Sequence, residues 1–162
     1  MIKYFVLLIL LSEVTLASPH TLITSNLEAT KAMSAILDNN CSITDRLNDS
    51  NDFGDIVIVV TVVCKGSDRF TQYIMNVYET INGESKVTTP FVVGTKYDFN
   101  IDAIKINSNI VTLTGMTWAK IDAHCCPSIP AKRIYVLDNH MFFSVREYNE
   151  QKNTNITGST IK

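Results

Sequence analysis

The sequence predicts an α+β fold in which an N-terminal helix packs on a curved antiparallel β-meander of about seven strands. Three observations predict it. One stretch near the N-terminus places apolar residues at helical spacing. After Gly54 the chain changes to segments rich in β-branched residues. Several of these segments are joined in pairs by short polar turns, which is typical of hairpins.

The helix is predicted to begin at Ser25, because Ser25 and Glu28 have the spacing of a capping box. One face then carries a stripe of apolar residues: Ala29, Ala32, Met33, Ile36 and Leu37. Residues 38–40, Asp-Asn-Asn, end the helical pattern. The following segment, residues 41–54, is rich in Asn, Asp and Ser and predicts a long loop.

Residues 55–64 form a continuous β-branched run, which predicts a central strand buried on both faces. The pair Asn82-Gly83 predicts a hairpin between strands at 71–81 and 85–93.

Two further hairpins are predicted from the same kind of signal. One joins residues 101–106 to 110–118, and the other joins residues 133–137 to 141–145. Together the three hairpins predict an antiparallel meander.

The first residues predict an export signal. Lys3 precedes an unbroken apolar run, and Thr15-Leu16-Ala17 carries small residues at the positions that a signal peptidase reads. We expect cleavage after Ala17, which leaves about 145 of the 162 residues: one domain, residues 18–148, and a polar tail, residues 149–162. The apolar run is shorter than the roughly 20 residues that cross a bilayer. A periplasmic or extracellular protein without a stable membrane anchor is therefore expected.

Charge and cysteine content narrow the classes of function. The net charge is −2 and the sequence has no basic stripe, so nucleic acid is excluded as an expected partner. Four cysteines in an exported chain predict disulfides. Three pairings are open; the one we favour joins Cys41 to Cys64 and leaves Cys125 and Cys126 either linked to each other or reduced.

The segment of adjacent cysteines is the candidate functional turn, and its residues are Asp122, His124, Cys125, Cys126, Pro127 and Ser128. Pro127 and Pro130 fix the backbone φ angle twice, so the turn is predicted to be rigid. Adjacent cysteines rarely direct both sulfurs at one metal ion. A cysteine nucleophile served by His124 or His140 would lack a third, orienting group, and an oxidising environment would cap its thiolate. We therefore expect no catalytic residue, no metal site and no cofactor.

Two other groups contain residue types that are found in ligand sites. Trp118 with Tyr73, Tyr78, Phe91, Tyr97, Phe142 and Phe143 is interpreted as strand packing rather than as a ligand groove. The aspartates at positions 45, 49, 52 and 55 lack the EF-hand pattern and are interpreted as a solvated loop.

The order of these motifs resembles that of uncharacterised exported bacterial proteins. It is similar to the mycobacterial LppP/LprE lipoprotein group and to envelope proteins with an Asp-Pro-x-Cys-Cys-Pro-[Ser/Thr] signature. The resemblance covers residues 55–145 and includes Gly66 after the first strand, Gly94-Thr95-Lys96, Trp118 and residues 122–128. This chain has Ala123 in place of the usual Pro, Cys64-Lys65 in place of a Gly-Gly pair, and no lipid-anchor cysteine. The resemblance implies an envelope location and no known catalytic activity.

Two hypotheses about function follow. The first is an exported, non-catalytic, disulfide-stiffened module that presents a concave sheet face or the Cys-Cys turn to another protein, a glycan or a small ligand. The second is a thiol-redox or metal-handling protein centred on Cys125 and Cys126.

Overall fold

The computed structural model describes residues 19–123, 125–149 and 152–157. The predicted signal peptide, residues 1–17, and His124 of the candidate turn lie outside the described residues. The described part contains one helix and ten strands: α1 (Pro19–Ser34), β1 (Cys41–Ser50), β2 (Ile56–Cys64), β3 (Phe70–Glu79), β4 (Ser85–Val87), β5 (Phe91–Thr95), β6 (Asn100–Asn107), β7 (Ile110–Thr117), β8 (Ile129–Asp138), β9 (Met141–Asn149) and β10 (Lys152–Thr157). The α+β class is confirmed.

The strands form two five-stranded antiparallel sheets rather than one meander of about seven strands. In the first sheet the order is β1–β2–β3, and β4 and β5 both pair with the far edge of β3. In the second sheet the order is β10–β9–β8–β7–β6. The single-sheet prediction was wrong because periodicity identifies strands but does not tell which sheet each strand joins.

The molecule has three layers: helix, first sheet, second sheet. Ala29 and Met33 of α1 pack against one face of the first sheet. The opposite face packs on the second sheet through a larger cluster that includes Phe99, Val111 and Leu113. An amphipathic helix and a half-apolar sheet each need such a cover, since exposed apolar area is unfavourable in water.

Strand β2 lies in the middle of this arrangement, between β1 and β3. Val57 and Val59 face the second sheet, whereas Ile58 and Val60 face the helix. Side chains alternate between the faces of a strand, so a continuous apolar run is required when both faces are covered. The predicted central strand, buried on both faces, is confirmed.

The predicted loop at residues 41–54 was wrong, because most of it is strand β1. Its pairing with β2 shifts register between Ile43 and Asp45. Ile43 packs on the helix side and Leu47 packs on the side of the second sheet. The bulge thus reverses the alternation within the strand. Polar residues also occupy inward positions, since Asp49 accepts from the N–H of Ile106 and Arg46 donates to helix α1, so no period-two pattern is visible in the sequence.

The helix begins earlier than predicted. It starts at Pro19, and Ser25 lies inside it and is buried. Proline is well suited to the first turn of a helix, where its missing N–H has no intrahelical partner.

The predicted hairpin turns are confirmed. The turn with Asn82-Gly83 joins β3 to β4, and Gly83 has a φ of 77°. Strand 85–93 of the prediction is interrupted, because β4 ends at Val87 and β5 begins at Phe91 after Pro90. The β6–β7 and β8–β9 turns have positive φ at Ser108 and Asn139, respectively.

The end of the chain was predicted to be a polar tail from residue 149. In the structure β9 extends to Asn149, and β10 pairs with it. Residues 150, 151 and 158–162 lie outside the described residues.

Candidate functional site

The candidate turn belongs to the connection between β7 and β8, residues 118–128. Thr117 and Ile129 are paired at its base. The connection is therefore a long hairpin loop that protrudes from one end of the second sheet; it is called the cysteine loop below.

Asp122 holds the cysteine loop closed from inside. Its Oδ2 accepts hydrogen bonds from the backbone N–H of Ala119 at 2.7 Å and of Ser128 at 2.9 Å. Its Oδ1 accepts a third from the hydroxyl of Ser128 at 2.7 Å. The hydroxyl of Ser128, followed by the backbone N–H of Ala119, lowers the pKa of the Asp122 carboxyl below its ordinary value. One ionised side chain thus joins the two ends of the loop.

Cys125 and Cys126 are joined to each other as a vicinal disulfide, and both residues are exposed. The backbone N–H of Cys126 donates to the carbonyl of Ala123 at 3.0 Å. Pro127 follows and is half-buried. Both residues of the disulfide therefore lie on the surface of the cysteine loop, and Pro127 restricts the backbone after them.

Besides the disulfide, the cysteine loop carries an aliphatic side chain, Ile121, and an aromatic one, Trp118, which follows the paired base of the loop. Trp118 contacts Tyr97 edge to face, with 5.8 Å between the ring centroids. Tyr97 has a φ of 78°, which is uncommon for a residue with a side chain. Ile121 is 94% exposed. The name tip surface is used below for Tyr97, Trp118, Ile121 and the Cys125–Cys126 disulfide.

Two ion pairs hold the ionised groups of the connection between β5 and β6, next to Tyr97. Lys96 bonds to Asp68 at 2.7 Å; this pair lowers the pKa of the Asp68 carboxyl and raises the pKa of the Lys96 ammonium. Arg133 contacts both carboxylate oxygens of Asp98 at 3.0 Å and also donates to the carbonyl of Val93. These side chains brace the connection between β5 and β6, which carries Tyr97.

The second disulfide joins Cys41 to Cys64, as preferred from the sequence. The two residues lie directly opposite each other on β1 and β2, with their Cα atoms 3.9 Å apart. The backbone N–H of Lys65 bonds to the carbonyl of Asn40 just beyond them. The Cys41–Cys64 disulfide thus links the edge strand β1 to the central strand β2. No free cysteine is present among the described residues.

A second polar cluster lies where the β8–β9 turn meets the first sheet, and it was not predicted. Asp55 is 7% exposed, and its Oδ1 lies 2.7 Å from His140 Nδ1. The side-chain amides of Asn76 and Asn51 also donate to this carboxylate. The ring of His140 stacks on Tyr78, with 3.9 Å between centroids. The interpretation of Asp55 as part of a solvated loop was wrong.

His140 did carry a signal in the sequence. It follows Asn139 in a two-residue turn, where the second position usually holds glycine because φ is positive. Its φ is 64°. A histidine in that position indicates that the side chain is needed, and the contact with Asp55 provides the reason.

The other candidates do not converge on one site. Phe91 and Phe142 pack against the core between the sheets, whereas Tyr78 lies at the His140 cluster. A groove with a volume of about 320 Å³ lies on the second sheet, and its lining includes Asp102, Met116 and Lys132. Within the described residues no group of three or more His, Cys, Asp or Glu side chains is placed to hold a metal ion.

Within the part of the chain that the structure describes, the one helix, α1, is not long and apolar enough to cross a membrane. Comparison with known proteins gives no match to a family model, to a curated protein or to a solved structure.

Proposed function

We propose that the protein is an exported, non-catalytic binding module, and that the tip surface is where it recognises a protein partner. The observation that carries this proposal is the exposure of Ile121 and of the vicinal disulfide on a loop that Asp122 holds rigid. An apolar side chain held in water on a fixed backbone costs free energy in the isolated protein, and burial against a partner recovers it. A pre-ordered loop also loses little conformational entropy on binding.

The chemistry of the tip surface favours a protein over a glycan. It combines aromatic, aliphatic and disulfide groups, and aromatic residues are enriched at the centres of protein interfaces. The neighbouring ions Lys96 and Asp98 already have partners in Asp68 and Arg133. A partner therefore meets Ile121 and the disulfide next to ion pairs that are already formed, with the exposed Lys120 as the charged neighbour of Ile121 in the chain.

Export is part of the same proposal. The Cys41–Cys64 bond supports it, since disulfides persist in oxidising compartments. We also propose an envelope location like that of the LppP/LprE group, which the Cys-Cys-Pro-Ser segment resembles. Mass measurement of the protein recovered from its source tests export: a mature N-terminus at Ser18 supports it, and an intact Met1 in a cytoplasmic fraction contradicts it.

A pair of matched variants tests recognition by the tip surface. Ile121→Asp places a charge on the tip surface, and Ile81→Asp makes the same change at the exposed β3–β4 turn. A photo-crosslinking residue at position 121, with position 81 as the control, captures the partner from the envelope fraction of the source. The partner is then purified and its affinity is measured.

We expect Ile121→Asp to weaken binding at least tenfold and Ile81→Asp to leave the affinity unchanged. Equal affinities for both variants would show that the partner binds elsewhere.

One observation favours the second candidate function, thiol-disulfide exchange. Exposed disulfides are more accessible to attacking thiolates than buried ones, and both Cys125 and Cys126 are exposed. Catalysed reduction of a protein disulfide such as that of insulin, lost in a Cys125→Ser/Cys126→Ser variant, would establish this function. Activity no greater than that of the variant would exclude it.

A further inference from the structure

We propose that the Cys125–Cys126 disulfide is a reversible redox switch of the tip surface: small-molecule thiols reduce it while the cysteine loop stays closed. The effect on partner binding rests on the proposed function, whereas the redox step rests on the loop alone. In this proposal the Cys41–Cys64 disulfide stabilises the fold, whereas the Cys125–Cys126 disulfide changes with the redox state of the surrounding solution.

The two disulfides close very different lengths of chain. Cys41 and Cys64 are 23 residues apart in sequence, whereas Cys125 and Cys126 are adjacent. A disulfide stabilises a fold largely by restricting the unfolded chain, and this effect grows with the closed loop. The vicinal bond restricts almost none of the chain, so its reduction leaves the stability of the domain nearly unchanged.

Hydrogen bonds and strand pairing, rather than the disulfide, hold the cysteine loop closed. Asp122 joins Ala119 to Ser128 through three hydrogen bonds, and none of them involves a cysteine side chain. Thr117 and Ile129 are paired below them in the sheet. Reduction removes one covalent bond at the tip and leaves this base intact.

The two disulfides also differ in how easily thiols in solution can reach them. A thiolate must reach a disulfide sulfur to attack it. Cys125 and Cys126 are exposed, whereas Cys41 and Cys64 are half-buried, and Cys41 packs against the core under the helix. Thiols in solution therefore reach the vicinal pair first.

The reaction is ordinary thiol-disulfide exchange with two equivalents of a low-molecular-weight thiol of the glutathione class. The first thiolate forms a mixed disulfide with one cysteine and releases the other as a thiolate, which takes up a proton. The second thiolate attacks the mixed disulfide, releases the remaining cysteine and leaves as the oxidised thiol dimer. The protein gains two electrons and two protons, and two small thiols are oxidised to one disulfide.

The two states present different surfaces. In the oxidised state the bridge fixes both side chains in one ring. In the reduced state two thiols rotate independently, and each is a weak hydrogen-bond donor. A partner fitted to the bridged form therefore loses contact with the reduced form, although the rest of the domain is unchanged.

The single tryptophan of the chain makes the switch measurable. Trp118 begins the cysteine loop and contacts Tyr97, so its fluorescence reports on the loop and on this contact. The mature protein is equilibrated with graded reduced and oxidised glutathione. Fluorescence, far-ultraviolet circular dichroism and alkylation followed by mass spectrometry are measured on each sample.

We expect Cys125 and Cys126 to be alkylated, and the fluorescence to change, under conditions where Cys41 and Cys64 remain linked. The melting temperature of this selectively reduced form should lie within about 4 °C of the oxidised form. Re-oxidation should restore the starting fluorescence. A Cys125→Ser/Cys126→Ser variant should show no fluorescence change under the same conditions.

Either of two results would overturn the switch: reduction of Cys41–Cys64 before or together with the vicinal pair, or loss of the folded state when the vicinal pair alone is reduced. Neither result affects the proposed binding function, which the Ile121→Asp variant tests under oxidising conditions. If selective reduction occurs and a partner binds both forms equally, the regulatory part of the inference is wrong.

Discussion

The side chain of Gln72 pairs with the backbone of Ile101 as another peptide unit would. Its Oε1 accepts from the N–H of Ile101 at 2.8 Å, and its Nε2 donates to the carbonyl of Ile101 at 2.9 Å. Gln72 lies on β3 of the first sheet, and Ile101 lies on β6 of the second. An amide that is 2% exposed therefore links the two sheets within the core.

Replacing Gln72 by Met should destabilise the protein by about 2–4 kcal/mol, because both backbone groups of Ile101 lose their partner in a buried position. Urea unfolding followed by circular dichroism measures this difference. Gln72→Glu is the matched comparison, since it keeps an acceptor for the N–H but places a carboxylate against the carbonyl. Unchanged stability of Gln72→Met would show that the pairing is dispensable.

Gly115 lies where β7 passes closest to the neighbouring strand β6. A Cβ atom at this position would lie 1.9 Å from the carbonyl oxygen of Asn100. Gly115→Ala should therefore displace the backbone and cost about 3 kcal/mol or more in unfolding free energy. Thermal unfolding measures the loss.

Gly66→Ala provides the control for Gly115. Gly66 has open space around it but a φ of 78°. Alanine there meets only backbone strain, so a loss of about 1 kcal/mol is expected. A smaller loss at Gly115 than at Gly66 would contradict the close packing of β6 and β7.

Removal of the Cys41–Cys64 disulfide by a double change to alanine should lower the unfolding free energy by about 3 kcal/mol, as expected for a closed loop of this length. Guanidinium unfolding under oxidising conditions is the measurement. A loss below about 1 kcal/mol would mean that the segments of β1 and β2 stay associated in the unfolded chain without the disulfide.

Acid should open the cysteine loop through Asp122. The pKa of this carboxyl is lower in the folded loop than its ordinary value of 3.8, so its contribution to stability is present above pH 3.8 and is lost as the pH falls through the lower, folded value. The fluorescence of Trp118 during an acid titration reports the change.

Ser128→Ala should shift that transition to higher pH, because the hydroxyl of Ser128 is the largest cause of the lowered pKa. Asp122→Asn should abolish the transition. An acid transition in Trp118 fluorescence that is identical in all three proteins would assign it to a different group.

The turn between β8 and β9 allows strain and contact energy to be separated. His140→Gly relieves the positive φ but removes the hydrogen bond to Asp55 and the stacking on Tyr78, so a net loss of about 1–2 kcal/mol is expected. Asn139→Gly relieves a φ of 47° at an exposed residue and should be neutral or slightly stabilising. Thermal unfolding of both variants measures the difference, and a stabilised His140→Gly protein would contradict a structural role for the cluster.

What the sequence predicts well is local. The unbroken apolar run of β2 requires cover on both faces, and the polar turn residues between alternating segments require hairpins. The favoured pairing of Cys41 with Cys64 agrees with the structure because the two residues flank a single strand pair. These features are confined to neighbouring segments of the chain.

What the sequence does not predict depends on contacts between distant segments. Gln72 and Ile101 are 29 residues apart, and Asp55 and His140 are 85 apart. Local hydrophobic periodicity carries no information about such long-range contacts. The division into two sheets and the buried polar cluster could therefore not be predicted. In the cysteine loop the residue types were visible, but the role of Asp122 depends on the loop folding back on itself.

The interruption at Pro90 has a consequence for association between copies of the protein. The far edge of β3 is covered by two short strands, β4 and β5, whose pairings are out of step with each other, and Pro90 between them has no N–H to donate. An extended chain that approaches this edge therefore cannot form a continuous ladder of backbone hydrogen bonds with it. This break disfavours the addition of a further strand at this edge of the first sheet, a hazard that grows wherever a strand-rich protein accumulates at high concentration.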